Sequence, residues 1–299
     1  MTPLGRYLLE APLGSGAFAT VWRGYDPDLE TPVAVKVLAE NWALDAEVHE
    51  RFLAEAKLLR RIRHPAVVRV HDVGVSVING ISRPYLVMDH VTGGTLTDRV
   101  GTLSPSQAGD AVIRSAAAVQ ALHEAGVIHR DVKPSNLLID DRDEVEQILV
   151  ADLGSAKLLG EVSVLTMVAG TPAYMAPEQA VVAGRFDERV DVYALGVVAH
   201  QMFTGRLPDR ARAPVPPIAR EVGLPLAVDD VLATATATDP DDRFSSAAQF
   251  ARALDDAMAG ASPPVRVRHR PSRTWPAPAV ALWALLLFLV SVAVTWRWV

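Results

Sequence analysis

His129-Arg130-Asp131-Val132-Lys133-Pro134-Ser135-Asn136 constrains this chain more than any other stretch. It joins an acid, a base and an amide to a proline that cannot sit inside a helix. An apolar pattern of helical period leads in, and the strand-like Leu137-Leu138-Ile139 leads out. The polar groups are therefore predicted on a loop held between two buried elements, where chemistry-bearing side chains concentrate. By itself the octapeptide also reads as a polar turn capped by an Asp and an Asn.

Other stretches narrow the choice. Residues 7–13 and 20–25 read as short strands around Gly14-Ser15-Gly16-Ala17-Phe18-Ala19. Such a hairpin lets backbone N–H groups approach phosphates. No long helix opens directly after it, which argues against a Rossmann dinucleotide site. Pro32-Val33-Ala34-Val35-Lys36-Val37-Leu38 is a strand with a lysine inside an apolar run. Val48, Phe52, Leu59 and Ile62 follow at helical spacing, and Glu55 fills the vacant slot of that stripe. A buried carboxylate needs a cation, and Lys36 is the natural partner. Strands at 67–75 and 85–88 come next, then Asp89-His90-Val91 and Thr92-Gly93-Gly94. Ser104-Pro105-Ser106-Gln107 is a capping box that opens a helix to about Glu124, with Ala108, Val112, Val119 and Leu122 inward and Gly126 as its stop. After the octapeptide stand Ile148-Leu149-Val150, Asp152-Leu153-Gly154 and Gly170-Thr171-Pro172-Ala173-Tyr174-Met175-Ala176-Pro177-Glu178. Asp191 opens an apolar helix over 192–203, and Ser246-Ala247-Ala248-Gln249 is a second capping box.

These motifs, in this order over about 7–257, resemble the bacterial eukaryotic-like (Hanks-type) serine/threonine protein kinases. Ala19 replaces the third glycine of the family's loop, and Leu153 replaces its usual phenylalanine. The resemblance implies an α+β, bilobal protein-kinase fold, with an antiparallel N-lobe sheet plus a helix over about 1–88 and a mostly helical C-lobe over about 92–257. It implies that Asp131 takes the proton of the acceptor hydroxyl, Lys133 neutralises the moving phosphoryl group and Lys36, paired with Glu55, holds the α- and β-phosphates. Leu13, Gly14, Ser15, Gly16, Val21, Ala34, Lys36, Met88, Asp89 and Val91 would form the ATP pocket, with Met88 as gatekeeper. Asn136 and Asp152 would hold Mg2+, with Mn2+ an alternative. Glu178 would pair with Arg243, Asp191 would brace the catalytic loop, and Thr171 would bond near Asp131. Arg130 would receive a phosphorylated activation loop, with Ser163 and Thr166 as candidate sites. The implied partners are protein substrates with Ser or Thr acceptors, this kinase itself in trans among them. A pseudokinase of the same fold and a small-molecule phosphotransferase are the alternatives; the filled chemical positions oppose the first and the nine-residue segment to Glu178 opposes the second.

Only Lys36, Lys57, Lys133 and Lys157 among the 29 basic residues are lysine. A chain this biased to arginine keeps a lysine at both positions where the kinase chemistry calls for a compact ammonium. Net charge is −6, too mild to argue for nucleic acid, and the absence of cysteine excludes disulfides and thiolate metal sites. No secretory signal is expected at the N-terminus. Residues 258–274 read as a Pro/Arg-rich linker with Arg266, Arg268, Arg270 and Arg273. Residues 275–296 carry no charge and begin and end on Trp275 and Trp296. About 20 such residues span a bilayer core of ~30 Å, so one transmembrane helix is expected, in contact with the lipid bilayer. The arginines before it place the kinase domain on the cytoplasmic side of the cell membrane. With so short a tail after the span, no external sensor domain is expected. Six residues, 209–214, separate the turn at Pro208 from Val215, too few for a stable docking helix.

Overall fold

The computed structural model describes residues 1–16, 18–78, 80–142, 146–153, 157–158, 172–180, 186–209 and 214–260, without the side chains at 51, 55, 58, 61, 157, 158, 172 and 180. The described residues belong to one compact body, Met1–Pro263.

Its N-terminal part is an antiparallel sheet of β1 (Thr2–Leu4), β2 (Tyr7–Ser15), β3 (Ala19–Asp26), β4 (Thr31–Leu38), β5 (Val70–Ile78) and β6 (Ile81–Asp89), in the order β1-β2-β3-β4-β6-β5. Alternation sets its buried face: Leu4, Tyr7, Leu9, Val33, Val35, Val37, Tyr85 and Val87 form one apolar cluster. Helix α1 (Ala46–Arg61) starts on Asp45, whose carboxylate accepts from the N–H groups of Glu47 and Val48. Phe52 and Leu59 of the expected stripe are buried, and so is Ala56. Ile62 caps the helix in an extended conformation, just ahead of His64-Pro65.

The C-terminal part packs α2 (Pro105–Glu124), α3 (Arg189–Thr204), α4 (Ala219–Val222), α5 (Ala227–Ala235) and α6 (Ala247–Met258) around one large apolar cluster. Helix α2 has the expected capping box, with Ser104 and Gln107 exchanging bonds. Gly126 follows its end at φ +75°, a left-handed conformation that glycine adopts without strain. The chain then runs through β7 (Val127–Ile128) and the octapeptide to the hairpin of β8 (Leu137–Asp140) and β9 (Gln147–Val150). Strand β10 (Lys157–Leu158) pairs antiparallel with β7.

The structure differs from the sequence reading in several places. Strand β1 was not expected; it is short and starts two residues into the chain, and it pairs only with β2. The strands read at 67–75 and 85–88 are Val70–Ile78 and Ile81–Asp89, because a hairpin closed by the Ile78–Ile81 pair extends both. Helix α3 opens at Arg189, so Asp191 lies in its first turn and is not its N-cap. At α6, Ser246 caps Gln249 N, but Gln249 Oε1 receives the N–H of Ser245, not of Ser246. Among the described residues no helix is long and apolar enough to cross a membrane. The expected span at 275–296, Ser163, Thr166, Thr171 and the Glu55 side chain lie outside the described residues, as do 210–213 in the short connection before Val215.

Candidate active site

The octapeptide lies between β7 and β8, and its acid is fixed from both sides. Lys133 Nζ donates to Asp131 Oδ2 at 2.7 Å, and Asn136 Nδ2 donates to the Asp131 carbonyl at 2.8 Å and to Oδ2 at 3.3 Å. Pro134 starts a single 3₁₀ turn to Asn136, which brings the amide back under the aspartate. The Asp131 N–H donates to His129 Nδ1 at 3.2 Å, leaving His129 Nε2 to donate to the Ala151 carbonyl at 3.1 Å. Fully buried His129 thereby ties the octapeptide to the residue before Asp152. A second tie runs from Ala151 N to the Asn136 carbonyl, 2.9 Å.

Backbone strain marks the same place. Arg130 has φ +68° and Asp152 φ +61°, both non-glycine residues in the left-handed region. Each costs about 1–3 kcal/mol and persists only where neighbours enforce it. For Arg130 the enforcement is visible: the N–H groups of His129 and Arg130 both donate to the Asp191 carboxylate at 2.8 Å, while the Arg130 carbonyl accepts from Gln179 Nε2 at 3.1 Å. Asp191 is fully buried. Burial by itself would raise its carboxyl pKa, but the His123 hydrogen bond, the nearby histidines and the His129 N–H hold it below the ordinary carboxylate value.

Lys36 Nζ lies 2.9 Å from Asp152 Oδ1, joining strand β4 to the segment after β9. The Lys36 ammonium is also 5.9 Å from the ring centre of Phe52 on α1. Asn136 and Asp152 supply amide and carboxylate oxygens, hard donors that suit Mg2+. The Nδ2–Asp131 bonds orient the Asn136 amide so that its oxygen faces away from that acid. The pair fits a divalent cation shared with phosphates, although no cluster of three His, Cys, Asp or Glu exists among the described residues.

Beside these charges lies an apolar cluster. Ala34, Val68, Met88, Leu149 and Ala151 form one buried cluster, with Val21, Val91 and Leu138 packed against it. Of the expected pocket residues, Val21, Ala34, Met88 and Val91 are brought together here. Cross-strand pairing does part of this, since Ala34 faces Met88 and Val21 faces Lys36. Gly14 and Ser15 lie opposite Val21 and Thr20 in the hairpin, and Gly16 N closes the turn on the Ala19 carbonyl at 2.9 Å. Leu13 does not join the cluster and is 52% exposed. Asp89 ends β6, its N–H on the Arg69 carbonyl at 3.0 Å and its carboxylate 2.6 Å from His71 Nε2. His90 beside it has its pKa lowered by burial and by the charge of Arg23. The sequence reading missed Val68, Leu138, Leu149 and Ala151. Leu138 was detectable: it sits between fully buried Leu137 and Ile139, so the pleat turns it to the other face.

The far side is closed by an ion pair. Arg243 grips Glu178 with two bonds, 2.6 and 2.8 Å, and also donates to the carbonyls of Ala237, Thr238 and Arg189. This is the expected pairing, in a bidentate form only arginine can make.

Residues 7–249 match the family model described as protein kinase domain. The chain is 39% identical over 274 residues to a probable serine/threonine-protein kinase of Corynebacterium efficiens, covering 84% of this chain and 41% of that protein. It is 36% identical over 293 residues to the serine/threonine-protein kinase PknA of Mycobacterium tuberculosis, covering 92% of this chain and 65% of the relative. The chain thus spans less than two thirds of either relative. The crystal structure of the PknI kinase domain of M. tuberculosis superimposes with a TM-score of 0.68 at 32% identity, over 86% of this chain and 98% of that one.

Proposed function

The chain belongs to the protein kinase family, and on that premise we propose that it is a serine/threonine protein kinase that transfers the γ-phosphoryl group of ATP to Ser or Thr of proteins, including itself. The observation that carries this reading is the convergence of Asp131, Lys133 and Asn136 with the Lys36–Asp152 pair beside one apolar cluster.

In this reading a cleft lined by Ala34, Met88, Leu149 and Ala151 takes the adenine, and the Gly14–Gly16 hairpin lies over the phosphates. Lys36 holds the α- and β-phosphates. Asn136 and Asp152 would hold Mg2+, which would offset the negative charge of the phosphates. Asp131, positioned by Lys133 and Asn136, orients the acceptor hydroxyl and accepts its proton. Lys133 spreads the charge that develops on the moving phosphoryl group. Little covalent chemistry is asked of the protein, so positioning and fixed charge supply most of the rate. The filled Lys36, Asp131, Asn136 and Asp152 positions favour catalysis over a purely binding role.

Anchoring at the cell membrane is part of the proposal, with the kinase domain cytoplasmic. The uncharged run 275–296 and the arginines before it support this placement. Confinement to one surface would raise local concentration for phosphorylation in trans at Ser163 or Thr166. Arg130 is the receptor proposed for that phosphate; its guanidinium lies 5.1 Å from the Phe186 ring centre. The test is transfer of label from γ-³²P-ATP to a generic protein substrate and to the enzyme, followed by phosphosite mapping. Wild-type protein that transfers no label to any hydroxyl sinks the catalytic reading; label confined to residues outside 155–169 sinks the activation-loop part.

A further inference from the structure

The glycine-rich hairpin is held by an aromatic contact that none of the motifs accounts for. Phe18 closes the turn just ahead of β3, and its ring centre lies 5.2 Å from that of Trp42, tilted by 35°. The Phe18 carbonyl also accepts the Ala39 N–H at 2.8 Å. Trp42 ends the 3₁₀ turn Glu40–Trp42 and packs, partly buried, against the main core. The Trp42 carbonyl accepts the N–H of Asp45 at 3.1 Å, and Asp45 is the residue that caps α1. One short path therefore runs from the tip of the hairpin through Trp42 to the start of α1. The same helix presents Phe52 to the ammonium of Lys36. Both groups assigned to the phosphates, the hairpin and Lys36, thus lean on α1.

A two-glycine hairpin is costly to order when a ligand arrives. A contact that orders it beforehand lowers that cost and appears as affinity for the part of the ligand beneath the hairpin. We propose that Trp42 is a positioning residue for the nucleotide's phosphates: through Phe18 it fixes the glycine-rich hairpin against the N-terminal end of α1. This rests on the kinase reading above. It assigns Trp42 no contact with the nucleotide; the effect passes through Phe18.

The geometry separates two ligands. MgADP carries phosphates under the hairpin; adenosine fills the apolar cleft without them. An aromatic pair is worth about 0.5–1.5 kcal/mol beyond its area, so its loss should weaken phosphate binding roughly two- to tenfold. Titration calorimetry on the full chain in detergent, with MgADP and with adenosine, tests this. Trp42→Leu should lose roughly that factor for MgADP and nothing for adenosine, and Trp42→Phe should recover most of the loss. Phe18→Leu removes the same contact from the hairpin side and should give the same selective loss if Trp42→Leu does not fold. The double variant should be no worse than either single one. MgADP affinity equal to wild type in both single variants overturns the inference, as does equal weakening of both ligands, which a merely structural role would give. Wild-type protein that binds neither ligand overturns the kinase reading and this inference with it.

Discussion

His123 Nε2 lies 2.8 Å from Asp191 Oδ2, a buried contact that joins helix α2 to helix α3 behind the catalytic loop. The same carboxylate receives the N–H groups of His129 and Arg130, so one side chain holds two helices and the strained turn at Arg130. Asp191→Ala should therefore cost about 3–5 kcal/mol, since it strands buried donors on His123 and on the loop. Thermal unfolding checks this, and a Tm within a degree of wild type would dismiss the brace. The depressed Asp191 pKa adds a sign: its contribution is complete above the ordinary carboxylate value and lost as pH falls below that value.

Asp131→Asn should lower kcat/KM about 10²–10⁴-fold, the range of a lost general base, with Tm little changed. Lys133 and Asn136 both donate to Asp131, and an asparagine retains an acceptor oxygen for one of them. Wild-type phosphotransfer by this variant would remove Asp131 from the mechanism.

Arg243 should be among the most expensive side chains to truncate. Its guanidinium is buried and feeds Glu178 and three carbonyls. Arg243→Ala is expected to lose about 3–5 kcal/mol in denaturant melts. Arg243→Lys should recover only part, because an ammonium cannot bridge both carboxylate oxygens while reaching the carbonyls. Full recovery by lysine would show that charge alone matters.

His200 is expected to give the domain an acid sensitivity of its own. Its pKa is lowered, chiefly by burial, while Nδ1 contacts the Arg206 carbonyl at 3.2 Å. A histidine with a depressed folded pKa contributes stability above its ordinary value of about 6.5 and loses it as pH falls below that value towards the lowered folded pKa. Tm measured from pH 7 to pH 5 should fall more steeply for wild type than for His200→Gln; parallel curves would exclude His200 as the cause.

The membrane proposal is checked by fractionation. The full chain should resist extraction by high salt and require detergent, while a chain ending at Gly260 should remain in the soluble fraction. A cut after Ala257 is less suitable: the Met258 sulfur occupies the space a side chain at Gly109 would need, so it would remove packing between α6 and α2. Full-length protein recovered without detergent would defeat the anchor.

The sequence by itself determined whatever is contiguous. The glycine hairpin, the strand bearing Lys36, the capping box at Ser104, the N-cap at Ser246, the octapeptide and the segment to Glu178 are each local patterns, set by period, capping residue, proline or glycine within a few residues. The resemblance added the pairing of Glu178 with Arg243 and the bracing by Asp191, neither of which spacing alone reveals. Tertiary structure decided which distant groups meet. Lys36 reaches Asp152 across 116 positions, His123 reaches Asp191 across 68, and Phe18 finds Trp42. Val68, Leu149 and Ala151 joined Ala34 and Met88 in one apolar cluster for the same reason. A local pattern states which side of a strand or helix is apolar. Which partner covers that side depends on how the elements pack together, and close packing of the interior settles it.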